Sequence, residues 1–393
     1  MKKVAVLGGG PAGAFAAERL AKAGLETIVF DEKLAWEKPC GGGLTYKAYH
    51  EYPFLIENDT PKKIIKDTYL SAPKAGAAKL GLTQPLVIYS RVDLNRMLLE
   101  RAERSGAQLE QCRVLEVQRK SQGWSIRTRS GSVEADFCVV ATGARNSLRN
   151  VGTEYRASDT MYALGYYVPS EQDHIDIQFL PNLEGYIWVF PRCGHLSVGI
   201  CGKGESAQSL RGRLERYMDE KGFSYKDSKF YGHMLPSLER SAWRNNRVAG
   251  DGWLAVGDAA GLVDPITGEG IYYAVRSGDL ASQIVLNDAH SIAEKAQAYM
   301  GLLRRDFAAD LEFGACLAQR VFVGKFLFST VPARMVQFIR QSPRFQDLMQ
   351  DLFAGTQPYL GLKSRLLRNL NGTISEVVMN FFLSKLIARE TAG

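Results

Sequence analysis

A glycine-rich turn near the first residue constrains this chain more than any other feature. It has the sequence GGGPAG at Gly8–Gly13 and follows a short β-rich run, Lys3–Leu7. An alanine- and leucine-rich stretch continues to Ala23, and a second apolar run follows at Glu26–Phe30. Strand, turn, helix and strand in this order predict a βαβ unit, which requires a parallel sheet.

The glycines of this turn suit a bound dinucleotide. Gly8 allows the tight turn, Gly10 lets the backbone approach a pyrophosphate, and Gly13 lets the helix pack on the strand. The N–H groups at the start of the helix would then face the phosphates. Asp31 ends the second strand, where a carboxylate can accept hydrogen bonds from ribose hydroxyls and disfavours a 2′-phosphate. The turn therefore predicts bound NAD or FAD.

A second cluster decides between these dinucleotides. A strand-like run ends in Gly257–Asp258, and the sequence DPITGEGI follows at Asp264–Ile271 before a helix. Together with the first turn, this cluster resembles the glutathione-reductase-type FAD fold of aromatic hydroxylases, flavin halogenases and geranylgeranyl reductases. The resemblance implies that Asp258 holds the ribitol chain of FAD. It also implies that the helix after Gly268 points its positive end at the flavin and stabilises the anionic reduced form.

Further positions complete the predicted FAD site. The run ATGARNS at Ala141–Ser147 resembles the strand end that passes beside FAD in this fold. Hydroxylases of the fold carry Asp where Thr142 stands and His where Gly261 stands, so both departures disfavour a hydroxylase. Arg91 matches an arginine that reaches the FAD phosphates, although a solvated helix-cap arginine is the alternative. The predicted FAD contacts are Gly8, Gly10, Pro11, Ala12, Gly13, Asp31, Glu32, Lys33, Cys40, Gly41, Gly42, Arg91, Val114, Thr142, Gly143, Asp258, Gly268, Gly270 and Ile271.

Two segments point to one branch of this fold. The run KPCGGGL at Lys38–Leu44 resembles the Cys-Gly loop that lies beside the flavin ring in geranylgeranyl reductases. The run GYIWVFP at Gly185–Pro191 matches the YxWxFP signature of that family's substrate sheet. Its alternating aromatic residues share one strand face and would suit a long apolar substrate. The predicted substrate contacts are Tyr186, Trp188 and Phe190. An ordinary core strand is the alternative.

Cys40 is the candidate for a reactive side chain beside the flavin. A cysteine among glycines can also serve only as a small residue that fits a tight place. Both interpretations of Cys40 therefore stay open. The six cysteines are scattered without a C-x-x-C pair, and no histidine stands at zinc-ligand spacing. No metal site is predicted.

The resemblance to geranylgeranyl reductases covers roughly residues 1–360 and implies a reaction. Reduced flavin N5 would deliver hydride to C=C bonds of polyprenyl chains, with a proton from water or a nearby acid. No second dinucleotide-binding unit is evident, so NAD(P)H would bind transiently over the flavin, or a reduced ferredoxin would supply electrons. One alternative is a flavin-dependent halogenase or monooxygenase. The other is a non-catalytic flavin- or lipid-binding protein.

The whole pattern predicts an α/β protein with a Rossmann-like FAD-binding domain, an interleaved antiparallel β-sheet substrate domain and a helical C-terminal region. We assign residues 1–54, 91–154 and 246–305 to the FAD-binding domain. Residues 55–90 and 155–245 form the predicted substrate domain, and 306–393 the helical region. Within these limits, the sequence of residues 40–85 is punctuated by proline and glycine and is less periodic, and Val133–Ala141 is expected to form one strand.

Charge is concentrated at the C-terminal end. The net charge is +7, and residues 314–393 contain ten Lys or Arg against four Asp or Glu. A basic, apolar helical region of this kind could rest on anionic lipid, although packing on the FAD domain is the alternative. With no signal peptide and no 20-residue apolar window, we expect a cytoplasmic protein with peripheral contact at the membrane's inner face. No nucleic-acid partner is expected, and the oligomeric state is not predicted.

Overall fold

The structure is a computed structural model that describes residues 1–326, 328–368 and 372. Within these residues the chain forms two large β-sheets, a small three-stranded sheet and helices that cover the sheet faces. One hydrophobic core surrounds the first sheet, and two others lie on opposite faces of the second. This architecture confirms the predicted α/β fold class with its Rossmann-type FAD-binding unit. The predicted helical region, 306–393, is helical over most of its described part, and the rest of that span lies outside the described residues.

The first sheet is parallel except for one strand at its edge. Its central strands are almost completely buried, because helices and the small three-stranded sheet pack against it. Across the sheet the strands run Ala249–Gly250, Trp253–Ala255, Phe137–Val140, Lys3–Leu7, Glu26–Phe30 and Gln108–Glu110. Helix Pro11–Lys22 packs between helices Arg91–Arg104 and Ile271–Leu286.

The predicted strand Val133–Ala141 is wrong as a single element. The chain forms Ser132–Ala135 in the small sheet and Phe137–Val140 in the first sheet, with Asp136 between them. The Asp136 carboxylate accepts a hydrogen bond from the N–H of Lys3 at 3.0 Å. This contact with the first strand fixes the point at which one strand ends and the next begins. The spacing of apolar residues in the sequence could not locate that point. The other strands of the small sheet are Val114–Arg119 and Trp124–Thr128.

The second sheet contains the aromatic signature strand near its centre. Its neighbours pair antiparallel, except that Lys62–Ala72 and Ile175–Phe179 are parallel. Across the sheet the strands run Lys229–Pro236, Thr160–Val168, His195–Lys203, Glu184–Arg192, Ile175–Phe179, Lys62–Ala72, Gly76–Tyr89 and Gly43–Leu44. Much of the segment 40–85 is regular structure, although its sequence is less periodic. Lys62–Ala72 and Gly76–Tyr89 form a long hairpin, since cross-strand pairing outweighs their glycine, alanine and proline content.

Helices cover both faces of the second sheet. Helix Ala207–Lys221 packs on one face, and the helices after residue 308 cover the other. The remaining α-helices are Tyr46–Glu51, Arg240–Asn245, Ile292–Leu303, Ala309–Val323, Val331–Gln341 and Pro343–Ala354, and residues 359–368 are also helical. Short 3-10 turns lie at Pro53–Leu55, Ala157–Asp159 and Gly257–Ala260, and a π-helical turn at Arg304–Ala308. Among the described residues, no helix has both the length and the apolar character to cross a bilayer.

Candidate active site

Four predicted cofactor segments meet at one edge of the first sheet. The turn at Gly8–Gly13 follows the first strand, Asp31 the second, Thr142 follows Phe137–Val140, and Asp258 follows Trp253–Ala255. The strands are parallel, so their carboxyl ends lie side by side, where α/β sheets bind nucleotides. Glu32 and Lys33 lie in the exposed turn after Asp31, and Val114 begins the small sheet.

The glycine turn has two tight positions and one open position. Gly8 has φ +118°, and a Cβ atom there would lie 2.2 Å from the carbonyl oxygen of Ala141. A Cβ atom at Gly13 would lie 2.0 Å from the carbonyl oxygen of Gly8. No described atom lies within 4 Å of the corresponding position at Gly10, which caps the helix without a side-chain hydrogen bond. The helix N-terminus is therefore available to a phosphate.

We expect Gly10→Ala to weaken FAD binding without unfolding the protein. Its φ of −70° is one that alanine adopts freely, but the added methyl would occupy the space that a pyrophosphate needs. A loss of FAD affinity of about tenfold or more is expected, equivalent to about 1.4 kcal/mol. Flavin fluorescence titration of the apoprotein would measure it. The control is Gly81→Ala, where the added methyl also meets open space, and unchanged affinity in Gly10→Ala would contradict the assignment.

Asp31 joins the glycine turn to the loop after the second strand. One carboxylate oxygen accepts the N–H of Gly9 at 2.7 Å, and the other accepts those of Lys33 and Leu34, both at 2.8 Å. A carboxylate has about four lone-pair sites, so it can still accept a ribose hydroxyl. The ribose contact itself stays a prediction.

Asp258 is paired with a lysine that sequence reasoning missed. Its carboxylate accepts a hydrogen bond from Lys38 Nζ at 2.7 Å. Burial alone would raise the pKa of Asp258, but the Lys38 ammonium outweighs it and holds the pKa below the ordinary value. His233 interacts electrostatically with both groups, and burial and the Lys38 charge lower its pKa to about 3. His233 is therefore neutral at physiological pH, and no sequence spacing indicated its place here.

Buried polar atoms without partners test whether FAD fits this site. In the described part of the chain, Arg91 Nε, Thr142 Oγ1 and His233 Nε2 have no hydrogen-bond partner. The solvated-arginine alternative is wrong, because Arg91 is only 3% exposed. Its Nη2 donates to Asn95 Oδ1 at 3.3 Å. Buried donors are normally satisfied, and a pyrophosphate would satisfy a buried guanidinium. The residues present fit FAD.

The Cys40–Gly43 loop is fixed by contacts to the second sheet. Arg192, fully buried, forms an ion pair with Glu37 and donates to the carbonyl oxygen of Cys40. Glu37 also accepts the N–H of Arg91 at 2.9 Å. Gly42 has φ +84°, and a Cβ atom there would lie 2.1 Å from the carbonyl oxygen of Tyr89, so the position requires glycine.

Two hydroxyl groups extend this support. Ser197 Oγ donates to the Cys40 carbonyl oxygen at 3.2 Å and lies 2.8 Å from the hydroxyl oxygen of Tyr231. The Cys40 Sγ accepts the Gly42 N–H at 3.3 Å. The structure therefore places Cys40 in a rigid loop beside the predicted flavin position. Its chemical role stays a prediction.

We expect Arg192→Met to destabilise the protein by about 3 kcal/mol, because the change leaves Glu37 and the Cys40 carbonyl without their buried partner. Urea unfolding of the flavin-free protein would measure this difference. Arg96, in an exposed ion pair with Asp93, is the matched control, and its change to Met should alter the free energy of unfolding by less than about 0.5 kcal/mol. Equal changes in the free energy of unfolding in the two variants would show that the contacts of Arg192 do not stabilise the protein.

An apolar cavity of about 880 Å³ lies between the second sheet and the C-terminal helices. Tyr186, Trp188 and Phe190 all line it, as do Cys40 and Gly268–Ile271. The structure thus brings together the predicted substrate strand, the Cys-Gly loop and the loop expected to hold the flavin. The C-terminal helices complete the wall with Phe322, Phe338, Phe345, Leu348, Met349 and Phe353. The volume falls within the range of ligand-binding pockets, about 300–1,000 Å³.

The aromatic side chains are held in defined positions. Tyr186 stacks on Phe322, with ring centroids 6.3 Å apart, and its hydroxyl donates to the carbonyl oxygen of Thr267. Trp188 Nε1 donates to Ser197 Oγ at 3.3 Å. Hydrogen bonding of the polar ends leaves the apolar faces to the cavity. The signature strand is therefore both core and cavity wall.

Two carboxyl groups lie in the cavity lining formed by the described residues, Asp264 and Glu269. Asp264 accepts the Tyr359 hydroxyl at 2.8 Å, and burial raises its pKa. Glu269 accepts the N–H of Tyr272 at 2.7 Å, at the start of helix Ile271–Leu286. Burial raises the pKa of Glu269 to about 8, so Glu269 is largely protonated at neutral pH. Sequence reasoning used this segment only for its glycines and missed its acid.

Comparison with known proteins agrees with this geometry. The profile of the pyridine nucleotide-disulphide oxidoreductase family matches residues 2–166. The chloroplastic geranylgeranyl diphosphate reductase of Arabidopsis thaliana is 29% identical over 321 residues, covering 74% of this chain and 66% of the plant protein. The chain thus spans just under two thirds of that protein. A menaquinone reductase of Mycolicibacterium smegmatis is 26% identical over 364 residues, covering 84% of this chain and 87% of that protein.

Solved structures share the fold. A geranylgeranyl bacteriochlorophyll reductase-like protein from Thermoplasma acidophilum superposes with a TM-score of 0.77 at 23% identity, covering 94% of this chain and 99% of that one. A flavin-dependent brominase gives 0.65 at 16% identity, covering 90% and 93%. The FAD-type strand edge, the Cys-Gly loop and these similarities agree with one another. This chain is therefore similar to geranylgeranyl reductases and shares the fold of FAD-dependent oxidoreductases.

Proposed function

We propose that this protein saturates isolated C=C bonds of polyprenyl chains. The observation that carries the proposal is the apolar cavity, which runs from the loops expected to hold the flavin into the C-terminal helices. A long hydrocarbon without polar groups fits such a lining, since a polar substrate would leave its hydrogen bonds unmade. The relatives named geranylgeranyl diphosphate reductase support the same substrate class.

The chain's own residues would position the alkene and exclude water. When bound, reduced FAD supplies a hydride to one alkene carbon. The aromatic wall of Tyr186, Trp188 and Phe190 would hold the chain across the cavity. An unactivated alkene has no carbonyl group to polarise, so orientation and dryness are the main contributions that a protein can make. Cys40 would contact the flavin from its loop, and a chemical role for its thiol stays a prediction.

Glu269 is our candidate for the proton donor. It lies in the cavity lining, and its raised pKa of about 8 keeps its carboxyl group largely protonated at physiological pH. Glu269 would transfer that proton to one alkene carbon, where the π electrons form the new C–H bond, while the other carbon takes the hydride. The carboxylate that remains would regain a proton from water. This assignment specifies the nearby acid of the proposed reaction.

Anaerobic reoxidation of the flavin tests the function. The purified holoprotein would be reduced with dithionite without air and mixed with geranylgeranyl diphosphate, a geranylgeranyl phospholipid or menaquinone. We expect the oxidised flavin spectrum to return with at least one of them, and the product to gain two hydrogens for each bond. Reoxidation by O₂ alone would favour a halogenase or monooxygenase, whose fold this chain shares. No reoxidation by any alkene or by O₂ would favour a non-catalytic flavin protein.

The same experiment addresses the head group and the electron donor. The alignment with this chain covers 87% of the menaquinone reductase but only 66% of the plant reductase. For this reason a quinone is included among the test substrates. NAD(P)H and a reduced ferredoxin would replace dithionite in separate reactions. We propose one of these two as the transient electron donor.

A further inference from the structure

A short hairpin interrupts the C-terminal helices at the mouth of the cavity. Its strands are Lys325–Phe326 and Ser329–Thr330, and we call residues 325, 326 and 328–330 the mouth hairpin. Sequence reasoning expected helix almost throughout this region. Lys325 and Phe326 belong to the cavity lining and are also exposed to solvent, so they lie where the cavity opens.

The mouth hairpin presents phenylalanine to solvent. Phe328 is fully exposed, with a relative exposure of 106%, and Phe326 is 39% exposed. Phe328 also has a left-handed backbone, φ +63°, which is rare and unfavourable for a bulky residue. The fold thus holds a large apolar side chain away from every core, at a cost in backbone energy. Such an arrangement indicates a partner outside the described chain.

Six of the thirteen exposed large apolar side chains of the described residues lie on this hairpin, on the helix end just before it and on segment 359–368. Single exposed apolar residues are ordinary on protein surfaces. The significant feature here is that several of them occur on neighbouring elements. Leu366 lines the cavity, is partly exposed, and lies on the helical segment 359–368. Phe326 of the hairpin and Leu366 of this segment therefore both line the cavity and both reach solvent. The exposed apolar residues of these elements are Val323, Phe326, Phe328, Leu360, Leu366 and Leu367.

The same elements carry positive charge. Between residues 320 and 368 the chain has eight Lys or Arg and two Asp. Lys325, Lys363 and Arg368 are exposed on the mouth hairpin and on segment 359–368, and Arg320 is exposed just before it. Basic residues near the surface of an anionic bilayer are attracted to its lipid phosphates. A protruding aromatic tip within a basic rim matches the chemistry of such a bilayer better than that of a protein surface.

We propose that the mouth hairpin and segment 359–368 form a docking surface for an anionic lipid bilayer. Phe326 and Phe328 would insert below the headgroups, and the basic residues would contact lipid phosphates. The cavity would then open directly into the hydrocarbon layer. This goes beyond the reaction proposed above and does not depend on it.

Vesicle binding tests the proposal with the full-chain holoprotein and no substrate. Vesicles would contain phosphatidylcholine alone or with about 30 mol % phosphatidylglycerol. We expect co-sedimentation with the anionic vesicles to exceed that with the neutral ones by about tenfold or more, and high salt to reduce it. Lys363→Gln with Arg368→Gln should lower the anionic preference several-fold. Equal binding to both compositions would overturn the charge assignment.

Phe328→Asn separates docking from folding. Asparagine accepts the left-handed backbone more readily than phenylalanine, so the variant should be at least as stable as the parent protein. Its partitioning onto vesicles should fall by about tenfold or more, because it lacks the aromatic side chain that would be buried in the bilayer. Phe328→Trp should retain binding and show a blue-shifted emission with vesicles. Phe230→Ser is the control, since Phe230 is also an exposed phenylalanine, 43% exposed, and lies on strand Lys229–Pro236 outside the docking surface.

The outcomes are distinguishable. Unchanged vesicle binding in Phe328→Asn overturns the docking surface. If vesicles do not bind but Phe328→Asn converts a dimer to a monomer in analytical ultracentrifugation, the surface joins two copies and the bilayer assignment fails. Binding needs no substrate, so its failure leaves the reductase proposal intact. Failure of anaerobic flavin reoxidation likewise leaves docking intact.

Discussion

Glu269→Gln should lower the rate of alkene reduction by about 100-fold or more, the usual contribution of a general acid. Glutamine can still accept the N–H of Tyr272, so the loop and the flavin spectrum should not change. In the parent protein the rate should fall as pH rises through about 8, because the donor must hold its proton. The residual rate of the variant should not show this fall with pH. The matched control is Glu294→Gln, at an exposed helix cap.

The pH dependence of protein stability tests the raised pKa of Glu269 without substrate or turnover. A carboxyl with a raised pKa in the folded protein keeps its proton when the unfolded chain has lost it. The free energy of unfolding therefore falls between the unfolded pKa near 4.5 and the folded value of about 8. Glu269→Gln removes this loss, so its melting temperature should exceed the parent's by more at pH 8 than at pH 5. Equal differences at both pH values would contradict the raised pKa.

Filling the cavity should abolish reduction of long chains. Ala163 lies in the cavity lining on strand Thr160–Val168, and Ala163→Phe would place a ring where the substrate must pass. We expect kcat/KM for a geranylgeranyl compound to fall by about 100-fold, whereas FAD content and reduction by dithionite stay as in the parent protein. A short alkene should be less affected than the long one.

The control for the cavity is Ala77→Phe, the same change at an exposed position of strand Gly76–Tyr89. It should leave turnover and flavin content unchanged. Unchanged long-chain kinetics in Ala163→Phe would show that the substrate lies elsewhere and would remove the observation on which the proposed function depends.

The polar supports of the site show why sequence analysis was incomplete. Lys38 and Asp258 are 220 positions apart, and Arg192 reaches the Cys40 carbonyl across 152. Each pairing depends on how the two sheets meet, which no local period or spacing contains. Glu269 was visible within a recognised motif, but its raised pKa comes from burial beside the cavity. The mouth hairpin was missed because its strands have two residues each.

By itself the sequence determined the elements whose signals are local. The turn at Gly8–Gly13 predicted the first strand, helix and parallel sheet, and the alternation of Tyr186, Trp188 and Phe190 predicted one shared face. A tight turn and a strand period are properties of neighbouring residues. Only the tertiary structure decided what those residues enclose. It brought the Cys-Gly loop, the signature strand and the C-terminal helices around one cavity, because long-range packing fixes such contacts.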